Sequence, residues 1–160
     1  MATQNNNLSD YDKHTLPNVA DMKFGIVVSQ WNNDITNGLY SGAFKTLLDC
    51  GVSKENILKL EVPGSFELIY GARILYKKSC DAIICLGSVI QGETKHFDYV
   101  CQGVTNGIKD LNISLDVPVI FGVLTDNTKE QAINRSGGIH GNKGVEAAIT
   151  AIKMAHLNRN

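Results

Sequence analysis

The stretch Ala82–Ile90, reading AIICLGSVI, carries one serine and no charge in nine residues. A strand with one wet face alternates apolar and polar side chains; a run with almost no polar member suits a strand covered on both faces, as in a parallel sheet between helical layers. The neighbouring segments fit around such a strand. Residues 24–28 form a second short apolar run rich in β-branched side chains. Asn33 and Asp34 then stand where they can cap a helix that carries Ile35, Leu39, Ala43 and Leu47 on one face, and Gly51 stops it. Ile57–Val62 alternates, with Leu58, Leu60 and Val62 on one side and Lys59 and Glu61 on the other, which predicts a half-exposed strand at a sheet edge.

After a Pro63-Gly64 turn, residues 66–78 read as a helix. A stronger helix follows the central run: Phe97, Val100, Cys101, Val104, Ile108 and Leu111 recur at offsets of three and four and form one stripe. Residues 117–124 are a further apolar strand, and Pro118, which lacks an N–H, places itself at a strand start or a sheet edge. A short helix over 128–135, a glycine-rich connection over 136–144 and a final helix with Val145, Ala148, Ile149 and Ile152 on its apolar stripe complete the chain.

Four strands alternating with helices, joined by right-handed crossovers, predict an α/β three-layer sandwich with a four-stranded parallel sheet in the flavodoxin-like order 2-1-3-4. At 160 residues, 43% of them hydrophobic, the chain can bury one core but not two. Residues 1–21 are read as a polar N-terminal arm and residues 22–158 as the single α/β domain. A net charge of -1 with no cluster of Lys or Arg argues against a nucleic-acid or membrane-docking surface, so the expected ligand is a small molecule. Cys50, Cys80, Cys85 and Cys101 lack the close pairing of a metal or redox site and read as reduced core thiols. The first twenty residues hold no apolar stretch resembling a signal peptide, which gives a cytoplasmic expectation.

Ligands of parallel α/β sheets collect beyond the carboxyl ends of the strands. There the sequence offers Trp31, able to stack on a planar heterocycle, and Glu67, able to accept from hydroxyl groups or to favour a helix start. Gly92-Glu93-Thr94 precedes the strongest helix, so backbone N–H groups and the positive helix end can face a phosphate; it is too short for a P-loop and lacks its lysine. His96, in the first turn of that helix, lies beside this anion site and is a candidate proton shuttle, whereas His14, His140 and His156 read as surface or packed residues. Phe121 reads as a second hydrophobic wall or as core. Arg135 and Lys143 flank the glycine-rich connection and read as phosphate partners or as solvated charges.

Val62-Pro63-Gly64-Ser65-Phe66-Glu67, Gly92-Glu93-Thr94-Lys95-His96-Phe97-Asp98-Tyr99-Val100, Pro118-Val119-Ile120-Phe121-Gly122-Val123-Leu124-Thr125 and Gly141-Asn142-Lys143-Gly144 are similar in order and spacing to the signatures of lumazine synthases. The resemblance spans residues 24–154. It implies that Trp31 stacks on a pyrimidine; that Ser65, Phe66 and Glu67 hold this ring and its ribityl chain; and that Ser88, Val89 and Ile90 line the same pocket. Glu93 and Thr94 match the family's phosphate-binding turn and His96 its acid/base residue. Phe121 and Arg135 match groups supplied from a neighbouring subunit, and Lys143 lies close to the same site.

The implied reaction joins 5-amino-6-(D-ribitylamino)uracil to 3,4-dihydroxy-2-butanone 4-phosphate, giving 6,7-dimethyl-8-ribityllumazine with loss of phosphate and water, and it needs no cofactor and no metal. The implied assembly is a homo-oligomer of pentamers, with an icosahedral shell as its extension. Gln30 and Gln91 depart from a basic residue found in many members, which bears on phosphate affinity. Two competing readings are a riboflavin synthase of the same fold, against which the phosphate turn with His96 and Arg135 counts, and a flavin or lumazine carrier, in which both would be idle.

Overall fold

The computed structural model describes residues 7 and 9–159. Four parallel strands, β1 (Phe24–Ser29), β2 (Ile57–Val62), β3 (Ala82–Ile90) and β4 (Val119–Asp126), form one sheet in the order β2-β1-β3-β4. The predicted α/β class and the order 2-1-3-4 are therefore both present. Helices α1 (Asn33–Asp49), α2 (Leu68–Tyr76), α3 (His96–Ser114), α4 (Lys129–Arg135) and α5 (Lys143–Arg159) cover the two faces.

Strand periodicity divides the core. Phe24, Ile26, Val28, Ala82, Ile84, Leu86, Ile120 and Leu124 point towards α1 and α5, while Val27, Ile83, Cys85, Val119 and Val123 point towards α2 and α3. Both faces of the inner strands are thus dry, which is why Ala82–Ile90 contains almost no polar residue. The edge strand β2 turns Leu58, Leu60 and Val62 to the α2 side. Its Lys59 and Glu61 face outwards, the ammonium of Lys59 lying over the Tyr40 ring at 4.5 Å and also pairing with Glu61. Pro118 stands just before β4, the other edge. The side chain of Asn112 accepts from Val119 N–H at 2.9 Å and donates to the Val119 carbonyl at 2.8 Å, substituting for strand pairing there.

Several local expectations need correction. Asn33 and Asp34 are already helical; the N-cap of α1 is Asn32, which has φ 57° and whose side chain donates to Ser88 O at 3.1 Å instead of capping. Gly51 ends α1 as expected. With φ 93° it donates to Leu48 O, and Val52 donates to Leu47 O, a closed C-terminal turn that needs the left-handed backbone. Helix α2 starts at Leu68 rather than 66, because Ser65–Glu67 are used in a turn. Of the predicted α3 stripe, Val104, Ile108 and Leu111 are buried, but Phe97, Val100 and Cys101 are only half-buried because the first turns of α3 overhang the sheet. The connection over 136–144 is not merely a loop: β5 (Ser136–Gly138) and β6 (Gly141–Asn142) pair antiparallel.

The described part of the N-terminal segment lies on its own chain. Tyr11 and Lys13 both donate to the Asp49 carboxylate at the end of α1, Val19 is fully buried and Leu16 packs beside it. The Lys13 ammonium and then the Tyr11 hydroxyl hold the Asp49 carboxyl below its usual range. Asn5 and Asn6 of the arm lie outside the described residues. All four cysteines are free thiols, and burial pushes Cys80 up to about 11 and Cys85 to about 12, so neither is a nucleophile at neutral pH. No helix among the described residues is long and apolar enough to cross a membrane.

Candidate active site

A cleft of about 730 Å³ opens where β1, β2 and β3 hand over to their loops at the carboxyl end of the sheet. Each wall follows from a local feature of the sequence. Beyond β1 the strand pairing continues for two residues, Gln30 N–H donating to Val62 O at 2.8 Å and Trp31 N–H to Pro63 O at 3.1 Å. The left-handed Asn32 then turns the chain into α1, with Thr36 Oγ1 bonded to Ser29 O at 2.7 Å. Trp31 is held on the rim and is 72% exposed. An indole so placed packs into no core and is free to stack on a planar ligand.

The turn before α2 supplies Pro63, Gly64, Ser65, Phe66 and Glu67. A methyl group on Gly64 would come within 2.8 Å of Glu67 Oε2, which shows that the Glu67 carboxylate folds back over the turn. The Ser65 hydroxyl enters the space left by Gly87 on β3, where an added Cβ would lie 2.6 Å from Oγ. Ser65 Oγ and Ser88 Oγ are both buried and have no hydrogen-bond partner. Both residues line the cleft, but neither hydroxyl oxygen is open to it.

The third wall is the entry to α3. Gln91 N–H bonds to Asp126 O at 2.9 Å and His96 N–H to Thr94 Oγ1 at 3.3 Å, whereas the N–H groups of residues 92–95 have no partner among the described residues. Unpaired donors at the start of a 19-residue helix make a site for an anion. Gly92, Thr94 and the exposed His96 line the cleft, so an imidazole and the anion turn face the same space.

The chain thus gathers Trp31, Ser65, Phe66, Glu67, Ser88, Val89, Ile90, Thr94 and His96 into one cleft. It does not bring in Glu93, Phe121, Arg135 or Lys143. Glu93 is exposed in its turn; Phe121 is half-buried on β4 against the α3-side core. Lys143 pairs with Glu146, and Arg135 Nη1 bonds to Gln131 O at 3.0 Å and lies 3.7 Å from Asp126. Arg135 and Lys143 bracket the β5–β6 ribbon, which Asn142 ties to α1: its side chain donates to Gly38 O and Ser136 O and accepts from Gly144 N–H. Phe97, Tyr99 and Val100 also line the cleft, although sequence reasoning does not mark them as site residues. Helical spacing points to two of them, since Tyr99 and Val100 fall three and four residues after His96; it gives no such signal for Phe97.

Residues 21–159 match the sequence model of the family described as 6,7-dimethyl-8-ribityllumazine synthase. This chain belongs to that family. Proteins of that name from Flavobacterium johnsoniae and Christiangramia forsetii are 64% and 63% identical to it, each over 99% of this chain and over 84% and 96% of their own lengths respectively. One from Porphyromonas gingivalis is 54% identical over 99% of both chains.

Proposed function

We propose that this cleft carries out the lumazine-forming condensation of riboflavin biosynthesis, with 5-amino-6-(D-ribitylamino)uracil against Trp31 and 3,4-dihydroxy-2-butanone 4-phosphate on the turn before α3. The observation that carries this reading is the pairing, across one cleft, of an exposed indole with a turn of partnerless N–H groups. Ser65, Phe66, Ser88, Val89 and Ile90 wall the pyrimidine, and Glu67 accepts from the ribityl hydroxyls. The pyrimidine amine attacks the ketone and the imine forms with loss of a first water. Phosphate then leaves, and ring closure expels a second water.

Two substrates held in register supply most of the acceleration, and His96 moves protons at the turn where phosphate departs. His96→Ala should lower kcat by about 10- to 100-fold and leave both KM values within roughly threefold. A kcat unchanged across the pH range would remove His96 from the mechanism.

Phe121 adds a hydrophobic wall to the pyrimidine end of a neighbouring subunit's cleft, while Arg135 with its planar fork and Lys143 with its ammonium complete the phosphate end. The surface favours such an assembly: Tyr70, Ile74, Tyr99 and Ile113 on α2 and α3 are exposed large hydrophobics in the single chain. Pentamers are the unit of this reading. Their closure into an icosahedral shell is the extension of this proposal; what supports it is the two-residue turn between β5 and β6, which carries no insertion to obstruct it. The setting is cytoplasmic, and the substrates are small molecules.

Mixing the purified protein with both substrates, and following lumazine fluorescence together with released phosphate, tests the reaction. One phosphate per lumazine supports it; a protein that consumes lumazine to make riboflavin, or that binds it without turnover, contradicts it. Light scattering separates the assemblies, since active isolated pentamers would remove only the shell.

A further inference from the structure

Asp126 closes β4 and is paired in register with Ile90, a residue of the cleft wall. The residue is 8% exposed, its Oδ1 lies 3.7 Å from Arg135 Nη1, and its Oδ2 is buried without any hydrogen-bond partner. A carboxylate in such a place is costly unless a cation holds it, and Arg135 is the cation that pairs with it. The separation exceeds hydrogen-bond length, so the carboxylate acts on the guanidinium through charge.

The guanidinium is held by one corner. Nη1 donates to Gln131 O at 3.0 Å and faces Asp126, whereas Nε and Nη2 have no partner among the described residues. One anchored corner and one open edge is the arrangement that presents two parallel N–H donors to an oxyanion. We infer that Asp126 is a positioning residue for Arg135: it holds the Nη1 corner so that the Nε and Nη2 edge faces the phosphate of the ketone substrate. This rests on the reading of Arg135 as a phosphate ligand. Asp126 itself touches no substrate. Burial raises its carboxyl above the usual carboxylate range, and the Arg135 charge opposes that in part.

The test compares Asp126→Asn, Asp126→Glu, Arg135→Ala and the Asp126→Asn/Arg135→Ala double variant as intact assemblies. The readouts are separate KM values for the two substrates and inhibition by inorganic phosphate. Asp126→Asn removes the charge at constant volume and should raise the KM for the phosphorylated ketone and weaken phosphate inhibition by about tenfold, the size of one charge-assisted contact. The pyrimidine KM should stay within roughly twofold, and Asp126→Glu should recover most of the loss. In the Arg135→Ala background Asp126→Asn should add nothing.

Asp126→Ser provides the same comparison should the asparagine variant fail to fold. If Arg135→Ala weakens the ketone but neither uncharged variant does, Asp126 is a packing residue and the inference is overturned while the role of Arg135 stands. Tighter phosphate binding in Asp126→Asn would show a carboxylate that competes with the anion, and also overturns it. If Arg135→Ala itself leaves the ketone KM unchanged, the phosphate reading of Arg135 fails and the inference fails with it.

Discussion

Gly144→Ala is expected to lower Tm by roughly 8–16 °C, the equivalent of about 4 kcal/mol in a chain of this size. A Cβ at this position would lie 1.9 Å from the carbonyl oxygen of Leu39 and 2.9 Å from Asn142 Oδ1. The first contact is with helix backbone, so no side-chain rotation relieves it. Helix α5 would have to lift from α1 at its first turn, where Leu39, Ala43, Ala147, Ala148 and Ala151 are all buried. That movement would also break the Gly144 N–H bond to Asn142 and with it the anchor of the β5–β6 ribbon. Gly92→Ala is the control, since an added Cβ there meets nothing within 4 Å. A calorimetric Tm for Gly144→Ala within about 2 °C of the parent would show that the two helices are not in contact as described.

Arg135→Ala is expected to weaken the phosphorylated ketone, raising its KM by about 100-fold, while the pyrimidine KM stays within about threefold. The asymmetry follows from where the groups sit. Trp31, Ser65, Phe66, Ser88 and Val89 line the cleft of the same chain, and Arg135 is absent from that lining. On the proposed role of Arg135, removing the guanidinium takes away two charge-assisted donors to phosphate and leaves the stacking wall intact. Steady-state kinetics with each substrate varied in turn decides the matter. Equal weakening of both would mean that Arg135 holds an interface rather than an anion.

The sheet is legible in the sequence because its strands obey simple burial rules. A dry run such as Ala82–Ile90 and an alternating one such as Ile57–Val62 differ in sequence as an inner and an edge strand should. Helix ends are harder to read. Asn33 and Asp34 have capping side chains, but the turn forced by the left-handed Asn32 sets where α1 begins. The β5–β6 ribbon leaves no alternating pattern, because glycines and a buried Asn142 hold it rather than apolar side chains.

In the cleft, Trp31, Glu67, Thr94 and His96 are legible from their places beyond strand ends, whereas Ser65, Phe66, Ser88, Val89 and Ile90 come from the family resemblance. Phe97 and Val100 look like core members in the sequence because a helical stripe does not reveal where the helix overhangs the sheet. Nothing in the sequence marks the buried Asp126. Its polar side chain ends an apolar strand, and only the geometry shows that it faces Arg135. Whether Arg135 serves its own cleft or a neighbour's is a property of the assembly, and periodicity within one chain carries no trace of it.

Subunit mixing tests that division most directly. Trp31→Ala and Arg135→Ala disable opposite ends of the proposed site, so each variant alone should turn over poorly when substrates are dilute. Co-assembled in equal amounts, random neighbours would create intact sites wherever Trp31 of one chain meets Arg135 of the next, restoring about one quarter of the parent activity in a closed ring. Lumazine formation at that level, from two chains each nearly inactive alone, is the result expected. Activity that stays at the mean of the two separate variants would place Trp31 and Arg135 of one chain in the same site and contradict an active site shared between subunits.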